Sequence, residues 1–156
     1  ALIAGVIAFL LSSTQHRNEL KKAKVEREFE MLKEVAEKVE IFNHVALKFW
    51  SLSSDWRRQL ILNTSLQPSN SLLNAQSELF DSFSELTKAE SLLLLFGYDN
   101  AQVKLREYGE AVKLFKKRVA SVDIPFNEND IANYRESMID KRSELFSLLN
   151  EIYKTI

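Results

Sequence analysis

Apolar residues recur along most of this chain in alternating steps of three and four positions, the spacing that places them on one face of an α-helix. Between residues 25 and 50 the stripe has one polar member, Asn43. Its other members are Val25, Phe29, Leu32, Ala36, Val39, Ala46 and Trp50. Three glycines and two prolines in 156 residues leave few positions at which a helix can end. The pattern therefore predicts an all-α fold.

Three breaks in the periodic pattern divide the chain into about four helices. They lie at residues 63–68, at Gly97 and at residues 124–126. Because such short connections hold neighbouring helices antiparallel, we expect an up-down bundle. The first helix is the longest and continues into the apolar N-terminal segment, so it should project as a stalk. We assign residues 15–156 to this single helical-bundle domain.

Residues that commonly start or stop helices stand at these breaks. Gly97 supplies the left-handed conformation that often ends a helix. Gly109 lies inside the third helix, where glycine costs about 1 kcal/mol relative to alanine, so we expect a close helix contact there. The candidate helix starts are Ser69 or Ser71, Asp99 with Gln102 in capping-box spacing, and Asn127 or Asn129.

The first eleven residues contain no charged or hydrogen-bonding side chain. A helix that spans a bilayer needs about 20 apolar residues, so this stretch alone is too short. Because the chain starts at Ala1 and not at methionine, we expect it to begin partway into a longer protein. Residues 1–14 would then be part of a transmembrane helix.

Basic residues follow this apolar segment closely: Arg17, Lys21, Lys22 and Lys24, together with His16 and Arg27. Positive residues beside a membrane helix are retained on the cytoplasmic face. We therefore expect a single-pass membrane protein with its bundle in the cytoplasm. Arg17, Lys21, Lys22 and Lys24 are candidate contacts for anionic lipid or for an acidic partner.

Two other interpretations of the apolar segment stay open. It can be an interfacial or partner-binding helix, including one buried between the subunits of a soluble, cytoplasmic homo-oligomer. It can also be the apolar part of a signal peptide, although the basic residues then follow the apolar stretch when they should precede it.

Charge and cysteine content exclude several classes of function. The chain has no cysteine, which excludes disulfides, thiolate metal sites and cysteine nucleophiles. Its formal net charge is -1, whereas nucleic-acid-binding proteins normally carry a basic excess for phosphate contacts. We therefore expect no nucleic-acid partner.

The sequence contains no recognisable catalytic or cofactor-binding motif. Glu40 and His44 share a helix face, but no second Glu/His pair completes a metal site. The glycines stand alone, so there is no glycine-rich phosphate loop. We therefore expect no cofactor and no bound metal. The polar residues at core-facing positions are few: Asn43, Gln76, Glu90 and Arg142.

Two further groups of side chains are candidate contact sites. The densest basic patch beyond the N-terminal one comprises Lys113, Lys116, Lys117 and Arg118. It can meet anionic lipid or an acidic partner, or form a solvated helix face. Phe49, Trp50 and Trp56 cluster near the end of the first helix. They form either an aromatic interface or the end of the bundle core, packed against Leu72 or the chain near Phe126.

The order of these features resembles a loose group of uncharacterised bacterial proteins with one N-terminal membrane helix and a cytoplasmic helical bundle. Three pieces carry the resemblance: the apolar start, the charged first helix over residues 17–40, and the phrase Leu-Leu-Leu-Leu-Phe-Gly at 92–97. The resemblance is most specific over residues 92–105. It implies the fold and topology given above and no assigned activity.

The sequence thus predicts a non-enzymatic, membrane-anchored helical module that recruits or senses a protein partner, or associates with itself. A homo-oligomeric bundle with the apolar segment buried between subunits is the second hypothesis. A small-ligand binder or enzyme with a site between the helices is the third. Assembly without lipid favours the second hypothesis, and a polar cluster buried in the bundle favours the third.

Overall fold

The structure is a computed structural model that describes residues 2–156, and every regular element in this range is an α-helix. The predicted all-α fold with four helices is confirmed. The helices are α1 (Leu2–Leu62), α2 (Asn70–Leu95), α3 (Asp99–Ala120) and α4 (Glu128–Thr155).

Side-chain contacts show that neighbouring helices run antiparallel. In each neighbouring pair, the residue number rises along one helix as it falls along the other. The contacts are Lys38–Glu85 and Lys48–Glu78 between α1 and α2, Phe83–Lys113 and Phe80–Lys116 between α2 and α3, Lys104–Glu144 and Phe115–Tyr134 between α3 and α4, and Phe29–Tyr153 and Arg58–Glu128 between α1 and α4. The four helices therefore form the expected up-down bundle.

The core lies between the three shorter helices and the part of α1 that follows residue 30. Its largest fully buried side chains are the aromatic residues Tyr108, Phe42 and Phe115. The ring of Phe42 lies 4.9 Å from that of Phe83 and 5.5 Å from that of Tyr108, edge-on in both cases. Aromatic rings prefer this geometry over face-to-face stacking, so the rings fix how α1, α2 and α3 meet.

Three of the predicted helix ends are confirmed. Ser69 caps α2, and its hydroxyl accepts a hydrogen bond from the backbone N–H of Leu72 at 3.2 Å. Gly97 has a φ of 80°, the left-handed conformation that glycine adopts without strain. Asn127 and Asp130 form a capping box at the start of α4. Each signal is local, so each was visible in the sequence.

The predicted capping box of Asp99 and Gln102 is wrong. The N-cap of α3 is Tyr98, which makes no side-chain capping bond, and Asp99 lies within the first turn. There its carboxylate interacts favourably with the positive end of the helix dipole. The amide of Gln102 turns to α2 and donates a hydrogen bond to Glu90 at 2.6 Å.

Gly109 lies where α3 passes close to α2, as its position inside a helix predicted. A Cβ atom at this position would lie 3.2 Å from Cδ1 of Leu86, closer than an ordinary van der Waals contact. The missing side chain therefore allows the two helices to approach each other.

The first helix is much longer than the others. Its 61 residues correspond to about 90 Å, whereas the other three helices are about 33–42 Å long. The first buried residue of α1 is Met31, so residues 2–27 project from the bundle by roughly 40 Å.

The expected transmembrane helix is not supported by the structure. Nowhere in residues 2–156 does a helix combine the length and the continuous apolar character needed to cross a bilayer. In α1 the apolar run stops at Ser12, where polar residues begin.

Candidate interaction surfaces

The first ten described residues of α1, Leu2–Leu11, form an apolar segment that stands clear of the bundle, and we call it the apolar tip. All ten are exposed. The seven large side chains are each 52–86% exposed: Leu2, Ile3, Val6, Ile7, Phe9, Leu10 and Leu11. A helix that is apolar on all sides is normally surrounded by other apolar groups. Large exposed apolar patches mark interaction sites, so the apolar tip is the first candidate surface.

An exposed basic segment, residues 16–27, follows the apolar tip, and we call it the basic collar. It contains five cations and two carboxylates, a net charge of +3 with His16 neutral. The four residues proposed as lipid or partner contacts are all exposed here: Arg17, Lys21, Lys22 and Lys24. Their position next to the tip is compatible with either contact, and that role stays a prediction.

A groove of about 620 Å³ lies where α1 leaves the bundle beside the last turns of α2, and we call it the shoulder groove. Met31 is buried and Leu92 and Phe96 are half-buried, so the floor of the groove is apolar. Leu95, in the same turn of α2, is exposed. The remaining lining residues are Ala23, Glu26, Arg27, Glu30 and Glu34. Sequence reasoning did not find this surface, because it depends on where α2 ends relative to α1.

The structure separates the four residues of the basic patch on α3. The ammonium groups of Lys113 and Lys116 lie 5.5 and 5.7 Å from the ring centres of Phe83 and Phe80, and Lys117 is exposed. Arg118 turns towards the connection between α3 and α4, where it donates a hydrogen bond to a backbone carbonyl. Cation–π contacts at exposed sites contribute about 0.5–1 kcal/mol. The patch thus has contacts within the chain, and its contact with a partner stays a prediction.

The structure places the aromatic cluster at the end of α1 largely inside the bundle. Phe49 is 3% exposed. Trp50 and Trp56 are half-buried, and their indole N–H groups donate hydrogen bonds to the carbonyls of Ile131 at 3.1 Å and Leu66 at 3.2 Å. All three side chains pack within the bundle, and the two tryptophans are partly open to solvent.

The polar residues expected at core-facing positions form no common site, since Gln76 is exposed and the others have separate partners. Glu90 pairs with Arg106, and Arg142 pairs with Glu40. Within residues 2–156, no three histidine or carboxylate side chains converge in a way that could hold a metal ion. The buried polar residues of the bundle are Ser53, Ser54, Arg57, Ser82 and Gln102.

Arg57 is the buried charge that sequence reasoning missed. It is 4% exposed, and its Cζ lies 5.1 Å from the centre of the Phe126 ring. Its guanidinium donates hydrogen bonds at 2.8–3.3 Å to four backbone carbonyls around the end of α3, those of Arg118, Val119, Ser121 and Ile124. Burial and the nearby guanidinium of Arg118 lower the pKa of Arg57, but an arginine stays charged at neutral pH. The charge therefore offsets the negative end of the α3 dipole.

Asn43, the polar member of the α1 stripe, is hydrogen-bonded across the core. The hydroxyl of Tyr108 donates a hydrogen bond to Oδ1 of Asn43 at 2.8 Å. Tyr108 is fully buried, and burial raises the pKa of its phenol well above its ordinary range. Asn43 is therefore a core-facing polar residue whose side chain is satisfied by a neighbouring helix.

Replacing Tyr108 by phenylalanine should lower the free energy of unfolding by about 1 kcal/mol, because Asn43 loses its partner. Tyr153→Phe, at an exposed ring, should change it by less than about 0.5 kcal/mol. Chemical denaturation measures both. Folding raises the phenol pKa of Tyr108, so the contribution of the phenol is complete below about pH 10 and falls as the pH rises further. If the free energy of unfolding falls equally above about pH 10 in the wild type and in Tyr108→Phe, the alkaline loss of stability does not come from the phenol of Tyr108.

No protein-family model matches the chain, and neither a curated protein nor a solved structure matches it. The resemblance to bacterial proteins with a membrane helix and a helical bundle therefore stays a prediction.

Proposed function

We propose that this protein is a non-enzymatic helical interaction module that assembles with copies of itself through the projecting part of α1. The observation that supports this most is the apolar tip, whose seven large side chains lie exposed beyond the bundle. Full burial of each such side chain contributes about 1.5–3 kcal/mol. Covering the tip with another apolar surface is therefore strongly favourable, and a second copy supplies that surface.

The rest of the molecule is consistent with a structural role for the bundle. Four of the five buried polar residues of the described chain, all but Ser54, hydrogen-bond within the bundle, and Asn43 accepts a hydrogen bond from Tyr108. In the proposed assembly the bundle is a rigid body held roughly 25 Å from the near end of the apolar tip. That distance leaves the outer faces of the bundle free to contact a protein partner.

The mass of the full chain in solution without detergent tests the proposal. We expect a dimer or a larger defined oligomer. Phe9→Asp should weaken association by at least about 100-fold, because it removes about 3 kcal/mol of apolar burial per interface. Phe80→Asp is the matched control, since Phe80 on α2 is 69% exposed and Phe9 is 72% exposed.

Light scattering coupled to size-exclusion chromatography gives these masses directly. The control variant should keep the wild-type mass. A monomeric wild type over the whole micromolar range would contradict the proposal, and so would equal loss of association in both variants.

A membrane surface is the second candidate for covering the tip, and the basic collar is the observation that favours it. The tip is about 15 Å long, roughly half the thickness of the hydrocarbon core of a bilayer. Cations next to an anionic membrane contribute about 1 kcal/mol each. Attachment would then use the apolar tip for insertion and the collar for lipid headgroups.

Sedimentation with vesicles separates the two candidates. Phosphatidylcholine vesicles and vesicles containing phosphatidylserine are compared with the wild type and with Lys21→Glu/Lys22→Glu. Membrane attachment predicts binding to the anionic vesicles that the double substitution weakens, with a monomer in the absence of lipid. Self-association predicts a stable oligomer without lipid whose mass the double substitution leaves unchanged.

A further inference from the structure

A set of positions in alternating steps of four and three runs without interruption along one face of the projecting helix, and we call it the stripe. The stripe occupies positions 2, 6, 9, 13, 16, 20, 23, 27, 30 and 34. Its last four members line the shoulder groove, so the stripe and the groove face the same side of α1. From Leu2 to Ala23 the stripe is apolar or small except for His16. The side of the tip that lies on the same face of α1 as the groove is therefore suited to packing against a second helix.

We infer that, in the self-associated form, the apolar tip of one copy lies in the shoulder groove of another, with the two projecting helices antiparallel. This geometry rests on the proposed self-association. When the centre of the tip lies opposite the centre of the groove, the paired positions add to about 36, and a two-fold axis passes near Asn18. In that register every stripe position of one copy meets a stripe position of the other.

The composition of the groove fits this occupant. Met31, Leu92 and Phe96 supply an apolar floor, and the tip supplies Leu2, Val6 and Phe9 on its facing side. Each copy provides one tip and one groove, so a pair related by a two-fold axis fills both grooves and leaves no tip uncovered. Burying each of these apolar side chains contributes about 1.5–3 kcal/mol, whereas an exposed ion pair contributes about 0–1 kcal/mol. Apolar burial is therefore the main contribution to the free energy of association.

The charges favour the antiparallel arrangement over the parallel one. A parallel pairing of the stripes would place Arg27, Glu30 and Glu34 opposite the same residues of the partner copy, and like charges in register repel. The antiparallel register places them level with Phe9, Val6 and Leu2 of the partner copy, so no like charges meet. The exposed side chains of the charged residues border the apolar floor and keep their charges in solvent. The same register also places the collar cations Lys22 and Lys24 opposite uncharged residues, Thr14 and Ser12.

Spin labels on single introduced cysteines test the direction, because the chain has no cysteine of its own. Pulsed dipolar spectroscopy measures the distance between the two labels in the full-chain oligomer. With Ala4→Cys, the antiparallel arrangement separates the labels by about 42 Å along the helices, whereas the parallel one leaves them roughly 10–20 Å apart. Asn18→Cys is the control, since labels near the two-fold axis lie close together in either arrangement.

A cross-link tests the groove itself. Chains carrying Leu10→Cys and chains carrying Glu26→Cys are mixed and treated with a short bismaleimide. The inferred register brings these two positions together, so we expect the mixed product to dominate over either self-linked product. Glu136→Cys, exposed on α4, replaces Glu26→Cys as the matched control and should give at least about tenfold less mixed product.

The outcomes distinguish this inference from the proposal beneath it. The tip-in-groove geometry is supported by three results together: a long distance between the labels at position 4, a short distance between the labels at position 18, and the mixed cross-linked product. Short distances at both positions would establish parallel pairing and overturn the inference while self-association stands. An oligomer without a short Asn18 distance would also overturn it. A monomer without dipolar coupling at either position overturns the proposed function and the inference together.

Discussion

Replacing Arg57 by methionine should lower the free energy of unfolding by about 3–5 kcal/mol. The guanidinium donates hydrogen bonds to several carbonyls at the end of α3, those of Val119 and Ile124 at 2.8 Å among them. Methionine has similar length but no donor, so the buried carbonyl of Val119 and the half-buried carbonyls beside it lose their partner, at about 1–3 kcal/mol for each acceptor left unsatisfied. Globular proteins are stable by only about 5–15 kcal/mol in total, so this loss is a large part of the whole. Urea denaturation monitored by tryptophan fluorescence measures it.

The neighbouring arginine is a matched control for that substitution. Arg58 pairs with Glu128 at 2.6 Å and with Asp55 at 2.8 Å, but its side chain is 41% exposed. Exposed ion pairs contribute about 0–1 kcal/mol, so Arg58→Met should cost less than about 1 kcal/mol. Similar losses for the two variants would show that burial and the carbonyl contacts of Arg57 are not what stabilises this end of the bundle.

Replacing Phe115 by alanine should also lower the free energy of unfolding by about 3–5 kcal/mol, as large-to-small substitutions of buried aromatic residues do. Phe115 on α3 is fully buried, and its ring lies 5.8 Å from that of Phe49 on α1 and 5.7 Å from that of Tyr134 on α4. A third ring, that of Phe126 at 6.2 Å, belongs to the connection before α4. The substitution therefore removes contacts to three other segments at once.

The adjacent residue provides the comparison for this second substitution. Leu114 is 59% exposed, so Leu114→Ala removes little buried apolar surface and should change stability by less than about 0.5 kcal/mol. Thermal unfolding followed by circular dichroism measures both variants under identical conditions. A Phe115→Ala variant as stable as Leu114→Ala would contradict the described packing.

The helices could be predicted from the sequence because their signals are local. The spacing of apolar residues requires no knowledge of the neighbours, and Ser69, Gly97 and Asn127 mark helix ends through their own backbone and side-chain chemistry. The start of α3 shows the limit of such rules. Its entry is set by Tyr98, which packs against the core, and that contact outweighs the capping potential of Asp99.

The surfaces were harder to predict because they depend on contacts between distant parts of the chain. The stripe on α1 continues after Trp50 in the same steps to Ser53 and Arg57, yet a polar serine and a charged arginine do not suggest core positions. The carbonyls that satisfy Arg57 lie 61–67 positions further along the chain, and no local pattern links them to it. The shoulder groove likewise exists only once α2 is packed beside α1.

Because α1 is continuous from the apolar tip to the far end of the bundle, the direction in which the tip faces around the helix axis is fixed relative to the core-facing side of the same helix. Each residue turns the helix by about 100° and advances it by about 1.5 Å. Deleting one residue from the basic collar would swing the tip about 100° around the axis relative to the core, with almost no change in composition. Inserting seven would restore the angle to within about 20° and lengthen the projection by about 10 Å. The length of the projecting helix can therefore change in steps of seven residues, whereas the direction in which the tip faces relative to the core has to be kept.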